Sequence, residues 1–254
     1  MSAEEHPMPN QQITIRTRDG DCPSHVVIPA SGGPWPAVIF YMDAGGIRPA
    51  MLDMAQQLAN AGYIVLLPDL FYRYGPYGPF VPEEVFAGDF RAVLGPLMAT
   101  TGSLTAAEDA EAMLVYLDTR DDVRGREVGV VGFCMGGGMA LVTAGTYPDR
   151  FAAAASFHGG NLATDAPTSP HLFAPKLKAE VYIGAAENDG SYPSAMAERL
   201  QRSLTEADVR YTSQTYLAAH GWMMPDFPVY DHAAAERGWS AMLALFGRTL
   251  HGGE

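Results

Sequence analysis

Two kinds of hydrophobic pattern alternate along this chain. Ala37-Val38-Ile39-Phe40-Tyr41, Tyr63-Ile64-Val65-Leu66-Leu67, Val128-Gly129-Val130-Val131 and Val181-Tyr182-Ile183-Gly184-Ala185 are short, almost wholly apolar runs, the signature of strands buried on both faces. Between them, apolar residues fall at helical spacing. Met51, Met54, Ala55 and Leu58 predict a helix from Arg48 to Ala61, ended by Gly62. Ala110, Met113, Leu114 and Leu117 predict another from Thr105 to Leu117, its acidic first turns favourable to the helix dipole. Further helices are predicted over 137–144, from Ser194 to Leu204 and from Ala233 to Leu250. Ile13 to Thr17 alternates apolar with polar, Asp19-Gly20 supplies a turn, and Ser24 to Pro29 follows, so the chain should open with an antiparallel hairpin at a sheet edge. Residues 1 to 11 read as a polar tail.

Arg210 to Tyr216 predicts a late strand. Ala152 to His158 is less plain: its alanines suit a helix equally, and it is the flanking Gly159-Gly160 and the alternating architecture that favour a strand. Repeated strand–helix alternation implies an α/β fold: a doubly wound, mostly parallel sheet of about eight strands, with an antiparallel N-terminal edge and helices on both faces. Residues 1–254 read as one domain. Tyr72 to Leu104, rich in Gly, Pro and aromatics, reads as a cap-like insertion with short helices.

Composition narrows the function. Apolar residues make up 48% and charged residues 18% of 254, an ordinary globular balance. The net charge of −13 would repel phosphate backbones and anionic lipid surfaces, so neither nucleic acid nor membrane is an expected partner. No apolar run approaches the roughly 20 residues that span a bilayer. Cys22 and Cys134 are the only cysteines, and with no signal-peptide pattern at the N-terminus they read as free thiols of a cytoplasmic protein. Cys22-x-x-His25 could be half of a metal site, but no second pair is apparent, and core packing explains Cys22 better.

Chemistry concentrates at the ends of the predicted strands, where open parallel sheets build their sites. Gly132-Phe133-Cys134-Met135-Gly136 follows one strand and opens a helix. That context fits a nucleophile elbow with a cysteine in the usual serine's place, the flanking glycines leaving room for a tight turn. Asp189 follows the strand ending at Ala185, and His220 follows the strand ending at Tyr216. The order nucleophile, acid, histidine is that of α/β-hydrolases. Each residue type is needed: a thiol is mostly protonated at neutral pH, a histidine must take its proton, and an acid must fix the histidine's tautomer. Glu187 competes with Asp189 as the acid but would point elsewhere in the turn; His232 and His251 compete with His220 but belong to the two ends of the predicted last helix. The backbone N–H groups of Met135 and Ala44 are the candidate oxyanion donors. His158 ends a strand beside the elbow strand, as a pocket residue or as an ordinary hydrogen-bonded histidine.

With these residues assembled, the chain resembles the dienelactone hydrolase family, a cysteine branch of the α/β-hydrolases, over nearly its whole length. The resemblance rests on Gly132-Phe133-Cys134-Met135-Gly136-Gly137, Pro68-Asp69-Leu70-Phe71-Tyr72-Arg73, Asn188-Asp189 and His220-Gly221-Trp222. It implies a hydrolase of esters or lactones acting through a cysteinyl acyl-enzyme, with no metal or organic cofactor, commonly as a monomer. It also implies a carboxylate after the strand that precedes the first long helix, modulating the nucleophile; Asp43 holds that place, shorter than the family's glutamate. Where the family carries a substrate-binding arginine four residues after the histidine, this chain has Met224. Arg91 is the one basic candidate in the cap. A pocket with Trp222, Met223 and Met224 suits a neutral, hydrophobic ester, lactone or thioester with a stabilised leaving group. A thioesterase or acyltransferase, or a redox-sensing or binding protein on the same fold, are the competing readings.

Overall fold

In the computed structural model, which describes residues 10–251, the continuous apolar runs become the interior of one sheet. The elements are β1 (Asn10–Arg16), β2 (Asp21–Val27), β3 (Ala37–Tyr41), α1 (Pro49–Asn60), β4 (Ile64–Pro68), α2 (Pro82–Ala87), α3 (Phe90–Met98), α4 (Ser103–Asp118), β5 (Val128–Phe133), α5 (Met135–Thr146), β6 (Phe151–Phe157), a 3-10 segment (Pro170–Lys176), β7 (Glu180–Ala186), α6 (Ser194–Glu206), β8 (Tyr211–Tyr216) and α7 (His232–Leu250). The strand order is β1-β2-β4-β3-β5-β6-β7-β8. β1 and β2 pair antiparallel, as do β2 and β4; every later pair is parallel. Every residue of β3, β4, β5 and β7 is buried, whereas in β8 at the edge only Tyr216 is buried.

Helices cover both faces. On β5, a Cβ added at Gly129 would meet Phe246 of α7, and one added at Gly132 would meet the Gly136 carbonyl of α5. Three residues apart along a strand means opposite faces, so α5 and α7 lie on opposite sides of the sheet. The alanine-rich segment is the strand β6, paired on both sides by β5 and β7; central pairing overrides alanine's helix propensity. The chain's first strand starts earlier than its apolar pattern, since Asn10, Gln11 and Gln12 already pair with Val27, Val26 and His25; Asn10 and Gln11 are half-buried there, and Asn10 Oδ1 meets His25 Nδ1 at 3.1 Å. The rest of the expected polar tail, up to residue 9, lies outside the described residues. α7 starts at His232 and its last residue precedes His251, and Asp231 caps it by accepting the Ala234 N–H at 2.8 Å.

The cap segment holds α2 and α3, between β4 and α4. Cys22 is wholly buried and burial pushes its thiol up to about 12, the state of a packed thiol rather than a reactive one. Among the described residues no helix is long and apolar enough to cross a membrane.

Candidate active site

The turn from β5 into α5 holds Cys134 at φ 52°, ψ −113°, a conformation an L-residue with a side chain adopts only where its surroundings enforce it. The enforcement comes from close backbone approach. A Cβ at Gly132 would lie 1.9 Å from the Gly136 carbonyl oxygen, and one at Gly136 would lie 2.7 Å from the carbonyl oxygens of both Tyr41 and Met42. The Cys134 N–H is held from the other side, donating to the Phe157 carbonyl at 3.0 Å and to His158 Nδ1 at 3.2 Å. Cys134 thus stands at the positive end of α5, partly open to solvent.

His220 reaches it from the loop after β8. His220 Nε2 is 3.1 Å from Cys134 Sγ, and Nδ1 is 2.6 Å from Asp189 Oδ2. A carboxylate can only accept, so Nδ1–H is the donor and Nε2 faces sulfur. Asp189, in the turn after β7, is buried, while Glu187 beside it is exposed. The second oxygen of Asp189 accepts from the Ser191 N–H at 2.8 Å and the Ser191 hydroxyl at 2.6 Å. Burial would raise the Asp189 carboxyl, but the hydrogen bonds from His220 and Ser191 outweigh it and hold the group below its ordinary value. Burial likewise opposes the His220 imidazolium, yet the bonds to Asp189 and Cys134 raise it to about 10. Both effects favour a charged Asp189–His220 pair.

The remaining expected residues fall in different places. Ala44 lies at the site, and Met135 follows Cys134 directly; among the described residues neither backbone N–H has a protein acceptor. His158 is wholly buried with its ring 5.4 Å from that of His220, and burial and then the His220 charge hold it neutral, well below its ordinary value. Asp43 is wholly buried with both oxygens engaged: Oδ1 accepts from Gly45 N–H and Arg48 Nη1 at 2.7 Å each, and Oδ2 from Arg48 Nη2 at 2.8 Å. Trp222, Met223 and Met224 are also wholly buried. Gly221 turns the chain at φ 96° directly after His220, and Trp222 and Met223 pack on α7 at Gly238, with Trp222 stacked on Tyr216 at 4.1 Å. Arg91 is exposed, its guanidinium 5.8 Å from the Phe90 ring centroid.

A cavity of about 450 Å3 opens onto Cys134 and His220. Its apolar wall comes from Phe86, Phe90, Leu94 and Met98 on α2 and α3, and from Phe227, Pro228 and Val229 beyond His220. Among the described residues no lysine or arginine lines it. Sequence reasoning missed Ser191, the 227–229 wall and the Phe90, Leu94 and Met98 face of α3. Ser191 had a signal, since Asp-x-Ser is the spacing of a turn in which the aspartate accepts the N–H two residues on.

An eight-stranded sheet of this order, with a strained turn between β5 and α5 and strand-end loops converging on it, is an α/β-hydrolase fold. A model of the dienelactone hydrolase family matches residues 23–250, and the chain belongs to that family. A protein of Synechocystis described as a candidate carboxymethylenebutenolidase is 28% identical over 244 residues, covering 94% of this chain and 96% of its own. A crystal structure described as a candidate dienelactone hydrolase of Klebsiella pneumoniae superposes with a TM-score of 0.83 at 23% identity, over 94% of this chain and 98% of that one. A dienelactone hydrolase-like promiscuous phosphotriesterase from metagenomic libraries shares the fold at a TM-score of 0.74 and 22% identity, over 95% and 99%. The chain is therefore a hydrolase of the dienelactone hydrolase type.

Proposed function

We propose that this hydrolase cleaves neutral, hydrophobic carboxylic esters or lactones with stabilised leaving groups, through an acyl-enzyme on Cys134. The observation that carries the reading is the unbroken relay from Cys134 Sγ through His220 to Asp189, at 3.1 and 2.6 Å. With the thiol's proton already held on His220 Nε2 as the imidazolium, the Cys134 thiolate attacks the carbonyl carbon. The resulting oxyanion accepts from the Ala44 and Met135 N–H groups, which have no other acceptor among the described residues. As the carbon–oxygen bond to the leaving group breaks, the imidazolium gives it the proton. Water then attacks the thioester with His220 as base, and Cys134 departs as thiolate. Sulfur leaves a tetrahedral intermediate more readily than an ordinary alkoxide, so forward reaction favours enol lactones, aryl esters and thioesters.

The apolar wall supports this substrate class. The Synechocystis relative is named for a carboxylated butenolide, a lactone bearing an anion. Here no cation lines the cavity among the described residues, and Arg48, the nearby guanidinium, is already shared between Asp43 and Asp226. A neutral acyl or aryl group is the better match.

The test is intact-mass spectrometry of the protein mixed with p-nitrophenyl acetate, beside Cys134→Ser and His220→Ala. The expected result is an acyl adduct on Cys134 that turns over in the parent and forms at a far lower rate in His220→Ala. A parent that neither acylates nor releases nitrophenol overturns the reading and directs attention to thiol oxidation. An adduct that an added amine or alcohol removes faster than water does makes the protein an acyltransferase.

A further inference from the structure

Arg48 is 2% exposed, yet it carries a full charge and spends every donor it has. Nε donates to Asp226 Oδ2 at 2.6 Å and Nη2 to Asp226 Oδ1 at 3.0 Å. Nη2 also donates to Asp43 Oδ2 at 2.8 Å, and Nη1 donates to Asp43 Oδ1 at 2.7 Å and to the Gly46 carbonyl at 3.2 Å. A guanidinium has five N–H groups and all five are matched. Fold stability does not account for such a cluster, because well-packed apolar residues commonly replace buried ion pairs without loss. What five directed bonds supply is geometry.

The two loops they join leave β3 and β8, four places apart in the sheet. Asp43, Gly45 and Gly46 flank Ala44, and Asp43 Oδ1 also takes the Gly45 N–H. Asp226 precedes Phe227, whose ring lies 5.2 Å from the Arg48 guanidinium carbon and packs edge-on against Phe86 of α2 at 4.9 Å. Phe227 also sits over the turn after His220, since a Cβ at Gly221 would come within 2.7 Å of it. From the other side Tyr77 leans on the same loop, accepting the Ile47 N–H at 3.1 Å while donating to Asp69 at 2.7 Å.

We propose that Arg48 is a positioning residue for the oxyanion site, locking the Ala44 loop to the Asp226–Phe227 wall so that one of the two oxyanion donors stays aimed when substrate fills the cavity. The proposal rests on the hydrolase reading above. It separates two reactions of one thiol. Acylation by an ester develops an oxyanion and needs Ala44 N–H in place; alkylation by iodoacetamide displaces iodide at a saturated carbon and develops none.

The experiment measures both rates in the parent, Arg48→Lys and Asp226→Asn, using the nitrophenolate burst from p-nitrophenyl acetate for the first. An ammonium cannot bond both carboxylates bidentately, so Arg48→Lys should slow acylation by about 10²-fold, the scale of losing one oxyanion donor. Its alkylation rate and the pH profile of alkylation should match the parent's. Asp226→Asn keeps the Arg48–Asp43 bonds and weakens only the tie to Phe227, so it should lose acylation by about tenfold; at a half-buried site it remains informative if Arg48→Lys does not fold. Unchanged acylation in a folded variant, or acylation and alkylation falling together, overturns the proposal. A parent that alkylates yet never acylates overturns the hydrolase reading itself, an outcome distinct from either.

Discussion

Ser191 Oγ lies 2.6 Å from Asp189 Oδ1 and 3.3 Å from His220 Nδ1, so one hydroxyl touches both members of the charged pair. It donates to the oxygen that the imidazole leaves free. Without it a buried carboxylate keeps only the Ser191 N–H on that oxygen. A hydrogen bond to a charged group contributes about 1.5–3 kcal/mol, and part of this is felt in how firmly Asp189 holds His220. Ser191→Ala should therefore lower kcat/KM for p-nitrophenyl acetate by about tenfold, equivalent to about 1.4 kcal/mol. Steady-state kinetics checks it, and parent-like activity would reduce the contact to packing.

The titration of His220 sets a pH dependence with a definite sign. Its folded value is raised to about 10, against an ordinary value of about 6.5. Its contribution to stability is thus fully present below about pH 6.5 and is lost as pH rises through about 10. Asp189 is shifted the other way, so its contribution is present above the ordinary carboxyl range and lost as pH falls through its lowered folded value. Urea denaturation from pH 6 to pH 10 should show the parent losing stability relative to His220→Gln. Equal slopes would mean that the pair is not charged in the folded protein.

The apolar cavity predicts a chain-length series. Burying each added methylene contributes about 0.8 kcal/mol, or about fourfold in kcat/KM. Straight-chain p-nitrophenyl esters should gain by that factor per carbon until the cavity is full, and Phe90→Ala should flatten the rise. A carboxylate-bearing lactone should react more slowly than its methyl ester. A flat or inverted series would place the acyl group elsewhere.

At the elbow, Gly132→Ala would put a methyl group 1.9 Å from a backbone carbonyl oxygen that cannot move without moving α5. Loss of more than about 3 kcal/mol is expected, read as a collapse in denaturation midpoint or in folded yield. Gly247→Ala in α7 meets nothing within 4 Å, and should instead add about 0.5–1 kcal/mol through helix propensity.

How these features could be read from the chain differs in physical kind. β3, β4, β5 and β7 announce themselves because burial on both faces demands uninterrupted apolar residues. Cys134 and Asp189 are legible as candidates because each follows such a run, and His220 because it follows the polar edge strand predicted from Arg210 to Tyr216. The walls of the cavity are not. Trp222, Met223 and Met224 adjoin His220 in sequence, but a single glycine at φ 96° sends them into the core. Phe227 comes back to the cavity three residues later. Arg48 and Asp226 are 178 residues apart and carry no periodicity; only a folded chain shows that they meet. The terminal hairpin was visible, but its first three polar residues carry no apolar signal, and only ladder pairing claims them.

On the function proposed above, chemistry and selectivity sit on different parts of this molecule. Cys134, Asp189 and His220 hang from strand ends that the whole sheet braces, whereas Phe86, Phe90, Leu94 and Met98 ride on two short helices spliced between β4 and α4. On that function, mutation in α2 and α3 can remodel one wall of the cavity while the strand-end residues stay as they are. A lineage built this way can shift what it admits without touching the groups that do the chemistry.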